Sequence, residues 1–198
     1  MRQQVSKDLF NYWSELKGAR AAPDRADIDP MRIRHLLADT FIIEFDPDRS
    51  FPLRLSGTRV NALWLREHKG LSFFDFWREE DRRSLRAALL TVVEGVAPIV
   101  VGARAEAPGD IPLELELLLL PLRYFGKTHS RVLGALSPAY QPDWLGHLAA
   151  GPLELISMRV IEPPTTGSSV LFRRVAPAHP RLRLVASHGI SCDVDNTF

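Results

Sequence analysis

The sequence predicts an α+β domain in which antiparallel hairpins flank a helical middle, preceded by an amphipathic N-terminal helix. Three observations predict it. Apolar residues recur at helical spacing from Val5 to Leu16, two extended runs flank a turn-rich pentapeptide between Thr40 and Ser56, and past Gly95 the apolar period changes from helical to alternating.

The first element follows from Val5, Leu9, Tyr12, Trp13 and Leu16, which form one stripe while Lys7, Asp8, Asn11 and Glu15 fall elsewhere on the wheel; Gly18 ends it. In "APDRADIDPMRIRHLLAD", Asp29 is placed to cap a helix opening at Pro30, where a missing N–H is harmless. Asp24, Asp27 and Asp29 also have the composition of a cation loop, but turn and cap account for them. The runs Thr40 to Phe45 and Phe51 to Ser56, separated by Asp-Pro-Asp-Arg-Ser, predict a hairpin.

Gly57 then releases the backbone from the strand, Thr58 is a good cap, and Val60, Leu63 and Trp64 make a stripe on a helix that Gly70 terminates. On that reading His68 and Lys69 sit at the helix's negative end, facing water. After the aromatic cluster "LSFFDFW", Leu85, Leu89 and Val92 keep helical period up to Gly95, the longest helix. The strands "PIVVGARAEA", "LELELLLLPL" and "RVLGALSP" follow, the first two joined by the turn "PGDIP" and the last two by a connector from Arg123 to Ser130. With Arg104 and Glu106 on one face and Glu114 and Glu116 across the hairpin from them, in a register the pattern leaves open, the exposed side would carry a charge ladder, both glutamates being candidate partners of Arg104, beside a core face of Leu113, Leu115 and Leu117. Beyond Met158 the chain reads as irregular, with "EPPTTGSS" as a linker. The organisation is an N-terminal helix over 1–20, a domain over 21–160 and an irregular tail over 161–198.

The 198 residues and 45% hydrophobic content support one well-buried core. A formal charge of +1 is far from the positive field that phosphate-backbone binding needs, so nucleic acid is not an expected partner. One cysteine, Cys192, cannot form an internal disulfide, and "MRQQVSKDLF" lacks the apolar core of a signal peptide, so the cytoplasm is the expected compartment. The most membrane-like stretch, "AALLTVVEGVAPIVVGA", is interrupted by Glu94, Gly95 and Pro98 and is too short to span.

The order of two strands, short helices, a long helix and three strands is that of a PAS domain, and the wording resembles one PAS family found largely in alphaproteobacteria. The resemblance rests on "WSELKGARAAPDRADIDPMRIRHLLADTFIIE", "FPLRLSGTRVNALW", "GLSFFDFW", "LELELLLLPL", "RVLGAL" and "PDWLG", spanning about Asp8 to Arg159. It implies a PAS fold, a five-stranded antiparallel sheet with short helices cupped on one face, its first two strands central and the long helix crossing one face. It also implies sensing or scaffolding in place of catalysis. Under it, Gly57 and Thr58 turn the second strand into the helical wall of a cavity, with Trp64 pointing inward. The match does not extend to a cofactor: neither the cysteine-centred flavin motif of light-sensing PAS domains nor a haem-histidine motif is legible, and the cofactor is unknown.

Trp64, His68, Phe73 and Trp77, with Phe74 and Phe76 beside them, are the candidate lining of a small-ligand pocket, although aromatics fill cores far more often than they bind ligands. Val5, Leu9, Trp13 and Leu16 are the candidate surface for a protein partner or homodimer, or the stripe that packs on the domain's own sheet. His35, His129 and His147 are scattered without metal-ligand spacing, and no Gly-rich phosphate cradle or G-x-S-x-G elbow is present. Arg173, Arg174, Arg181 and Arg183 give the tail local positive charge that reads as a solvated surface.

The expectation is a PAS sensor and interaction module in cytoplasmic signalling. No kinase, cyclase or DNA-binding segment is legible, so its output should pass through a protein partner such as a signalling kinase or regulator. Two rivals stand beside it. One is an enzyme on an α+β cup with Glu116 or His68 as general base, which predicts a buried ionisable pair beside a cleft; the other is a ligand-free structural adaptor with a filled core.

Overall fold

The structure, a computed structural model, describes residues 1–46, 48, 50–95, 97–106, 112–124 and 127–161. The linker "EPPTTGSS", the tail arginines, His188 and Cys192 lie outside the described residues, as do most of the "PGDIP" turn and the side chain of His129. Helix α1 spans Gln4–Lys17 and ends at Gly18, whose φ of 54° lies in the left-handed region that favours glycine. Strands β1 (Thr40–Glu44) and β2 (Leu53–Ser56) form the expected hairpin. Helix α2 (Thr58–Leu63) and helix α3 (Arg82–Gly95) precede β3 (Ile99–Ala105), β4 (Leu113–Tyr124), β5 (Lys127–Pro138) and β6 (Leu153–Val160). All neighbouring strands pair antiparallel in the order β2-β1-β5-β4-β3-β6.

The sheet has six strands where five were expected, and β2 lies at an edge, not at the centre; β5 and β4 are central. The extra strand β6 escaped pattern reading because of a bulge opposite Gly102 and Ala103. Leu153, Leu155, Met158 and Val160 all pack on one core, at spacings that break the alternation of a regular strand. At the bulge, Gly102 lies against Ser157, whose Oγ is 2.6 Å from where a Cβ on Gly102 would stand.

The helix expected from Pro30 is a series of turns, in which Asp29 accepts the N–H of Met31 at 2.9 Å, before a single 3₁₀ turn over Leu37–Asp39. Helix α2 is shorter than expected and starts from Gly57, not Thr58, as its cap. It stops because Leu65 adopts a φ of 53° and the Asn61 side chain accepts the N–H of His68. The aromatic segment forms a 3₁₀ turn over Phe73–Phe76, opened by Ser72 Oγ accepting from the Phe74 N–H.

Each face of the sheet carries its own core. On the inner face, Phe41, Ile43, Val101, Leu117, Leu119 and Val132 pack under α2, the aromatic turn and Leu85, Leu89 and Val92 of α3. On the outer face, Ile42, Val100, Leu118, Leu120, Leu122 and Leu133 pack under Leu9, Tyr12 and Trp13 of α1. This explains why β4 changes from alternating "LELE" to a continuous leucine run: helices cover both faces of its middle, whereas Glu114 on its outer face stays exposed. In the register of β3 and β4, Arg104 stands opposite Glu114 and pairs with it at 3.0 Å.

Candidate functional site

The residues expected to line an inner cavity come together, but around one another. Trp64 stacks on Phe76 with ring centroids 4.7 Å apart and planes at 6°, and its Nε1–H donates to the Gly151 carbonyl at 3.1 Å. His68 stands edge-on to both rings, 5.3 Å from Trp64 and 4.7 Å from Phe76. Phe73 contacts Phe76 and Trp77 at 6.0 and 5.9 Å, and reaches Phe41 of β1 at 6.1 Å. These separations are those of aromatic pairs in a close-packed core.

His68 does not face water; it is 0% exposed in the loop after α2. Its Nε2 accepts from Arg66 Nε at 3.4 Å, which leaves the proton on Nδ1, 3.2 Å from Asn61 Oδ1. Burial first, and then the nearby Arg66 cation, hold its pKa down to about 4, against a small opposing pull from Asp75. The side chain is therefore neutral at pH 7, with both ring nitrogens engaged.

Glu116, the other residue considered as a base, is on the opposite face of the sheet, so the two are not brought together. Glu116 is 6% exposed, and its carboxylate accepts the backbone N–H groups of Arg2 at 2.7 Å and Gln3 at 3.0 Å. It thus ties down the start of α1, where a negative charge is favoured by the helix dipole. The sequence offered Glu114 and Glu116 together as exposed partners of Arg104; Glu114 takes that role, whereas Glu116 is buried and its bond to Arg2, 114 positions away, has no local signal.

Of the candidate partner surface, Leu9 is 0% and Trp13 1% exposed, both against the sheet, while Val5 and Leu16 pack at the margin of the same core. Trp13 Nε1–H donates to the Pro121 carbonyl at 2.8 Å. Tyr12 Oη accepts the N–H of Asp29 at 2.8 Å, and Arg32 lies over the Tyr12 ring while pairing with Glu15 at 3.0 Å. Helix α1 is therefore fastened at both ends and along one side. Two cavities open on this outer face, one of about 410 Å³ lined by Arg2, Glu116 and Arg159, the other of about 320 Å³ lined by Ile33, Ile42 and Leu55.

An ion pair unread in the sequence joins the buried Asp39 to the partly exposed Arg59 of α2. Burial pushes the Asp39 carboxyl above its ordinary range even with the guanidinium beside it. Among the described residues no group of three or more His, Cys, Asp or Glu could hold a metal ion, and no helix is long and apolar enough to cross a membrane.

This arrangement, an antiparallel sheet with short helices and an aromatic turn on one face, agrees with comparison to known families: the model of the PAS domain family matches residues 1–137. The chain belongs to that family, and the family is one of sensory and signalling modules. Among solved structures the chain is similar to the crystal structure of a Rhodobacter sphaeroides LOV protein, at 13% identity and a TM-score of 0.43, over 59% of this chain and 71% of that one. It is also similar to a variant of RsLOV, at 16% identity and a TM-score of 0.44, over 57% of this chain and 69% of that one. The comparison with curated proteins returned no match.

Proposed function

We propose that this chain is a non-catalytic PAS module of cytoplasmic signal transduction whose output passes to a protein partner through α1 and the outer face of the sheet. The observation that carries the reading is the attachment of α1. It buries Leu9 and Trp13 on the outer face, and Glu116, Pro121 and Asp29 hold it by bonds that bridge distant parts of the chain. Burial of Leu9 and Trp13 contributes roughly 1.5–3 kcal/mol each, so a partner burying a similar apolar area offsets the release of the helix.

Amide hydrogen exchange tests the first half of this reading. The amides of α1 exchange through a local opening, faster than those of β4 and β5, and Glu116→Gln accelerates the first turn further. Exchange of α1 only through global unfolding, in step with the central strands, refutes it. The second half is tested by capturing signalling proteins on wild type and on Leu9→Asp; recovery of the same partners in the same yield removes the outer face from the account. At the inner face, the ring-on-ring packing of Trp64, His68, Phe73 and Phe76 favours a second reading for that region, a filled adaptor core. Native mass spectrometry of freshly purified protein distinguishes it from a ligand-filled one.

A further inference from the structure

The cavity of about 320 Å³ on the outer face has a chemistry of its own. No residue of α1 lines it; it lies between the turns that follow the helix and the β1–β2 hairpin. Ile42 and Leu133 belong to the sheet beneath it, Ile33 and Leu37 come from the turns, and Leu55 from β2. Leu37 and Leu55 are 36% and 42% exposed, so two large apolar side chains meet water at one opening. The frame is tied by hydrogen bonds: the Gly57 N–H donates to the Thr40 carbonyl at 2.8 Å, and the Thr40 hydroxyl Oγ1 donates to the Leu37 carbonyl at 3.1 Å. The volume is within the small-molecule range.

Arg25 is the single charged residue among those lining this cavity. Its acidic neighbours are engaged elsewhere: Asp27 pairs with Arg20 at 2.7 Å, and Asp24 with Arg20 and Arg123. The Arg25 guanidinium makes no ion pair or side-chain hydrogen bond with a described residue. An apolar cavity with one guanidinium that no described residue engages calls for a ligand with an apolar body and a single negative charge. We infer that this cavity binds an amphipathic monocarboxylate, its chain against Ile33, Ile42 and Leu55 and its carboxylate on Arg25.

The planar guanidinium matches a carboxylate with two parallel hydrogen bonds. A phosphate dianion fits less well, because one cation leaves its second charge uncompensated beside apolar walls and the carboxylates of Asp24 and Asp27. An alcohol of the same length would satisfy the walls and leave the cation unpaired. The site stands apart from the aromatic cluster of the inner face and does not depend on the motion proposed for α1.

Isothermal titration calorimetry of the full chain with decanoate, and with decanol as the uncharged control, tests the assignment. Decanoate binds wild type with one-to-one stoichiometry. Arg25→Gln weakens it about tenfold or more, as expected for loss of a charge-assisted pair, and leaves decanol binding unchanged. Arg25→Lys falls between, and Leu55→Asp weakens both ligands. An unchanged urea midpoint shows that Arg25→Gln is folded. No decanoate binding, equal affinity in wild type and Arg25→Gln, or binding that survives Leu55→Asp overturns the proposal. Binding of N-acetyl-Leu-Leu without binding of decanoate also overturns it, in favour of a peptide C-terminus.

Discussion

Acid should weaken this protein through His68 in a defined pH window. The folded imidazole titrates at about 4, because burial and Arg66 oppose its charge, against 6.5 for an unperturbed histidine. Between those values the unfolded chain carries a proton that the folded chain does not, so protonation favours unfolding. The contribution of neutral His68 is fully present above the unfolded value and is lost as pH falls towards the folded one. A one-proton difference between the two states changes stability by about 1.4 kcal/mol for each unit of pH, so stability should fall by about 2 kcal/mol between pH 7 and pH 5, and by about 3 kcal/mol by pH 4. The control is His68→Gln, whose amide can still donate to Asn61 and accept from Arg66 but does not titrate. Urea unfolding followed by tryptophan fluorescence, at several pH values for both proteins, gives a difference curve in which Asp39 and the other carboxylates cancel. A difference that is flat from pH 7 to pH 4.5 refutes the burial argument; a difference of opposite sign means that the folded state stabilises the cation.

Three further outcomes follow from the same contacts. Arg59→Gln leaves the Asp39 carboxylate buried without its cation and should lower stability at pH 7 by about 2–3 kcal/mol, less than a fully buried pair would because Arg59 is partly exposed; Asp39→Asn in the same chain should recover part of it in urea unfolding. Gly57→Ala would place a Cβ 2.3 Å from the Leu37 carbonyl oxygen and 2.4 Å from that of Ala38. Because both obstacles are backbone, the loss should be about 2–3 kcal/mol in the same assay, or the protein should fail to fold. Trp13→Ala removes a buried ring and the bond to Pro121, and should lower the protection of α1 amides by the equivalent of about 3 kcal/mol while β4 and β5 keep theirs.

Much of the fold was legible because local chemistry decides it. The stripe from Val5 to Leu16 has a helical period whatever it packs on, Gly18 ends it by its own conformational freedom, and the turn residues between Phe45 and Phe51 separate two strands. The opposite charges of Arg104 and of Glu114 and Glu116 across the hairpin were readable, but the register that gives Arg104 to Glu114 and leaves Glu116 for the start of α1 was not. Strand β6 was not, since its bulge removes the alternation by which a strand is recognised. The burial of His68 was hidden for a related reason: its position suited a helix end, but α2 stops at Leu63 and the following loop turns the imidazole onto Trp64 and Phe76.

What the sequence determined by itself, then, is most of the helices and strands, β6 and the turns after Pro30 apart, and the apolar stripes that must leave water, together with membership of the PAS family through the order of its phrases. What those side chains are buried against was decided only by the tertiary structure. A hydrophobic period states a demand for burial and is silent on the surface that meets it. Thus Leu9 and Trp13 could face a partner or the chain's own sheet until the sheet's outer face was in view, and Glu116 could be an acid, a base or a surface charge until the start of α1 was found on it. Contacts between residues more than a hundred positions apart carry no local signature, and both the fastening of α1 and the cavity beside Arg25 are made of long-range contacts.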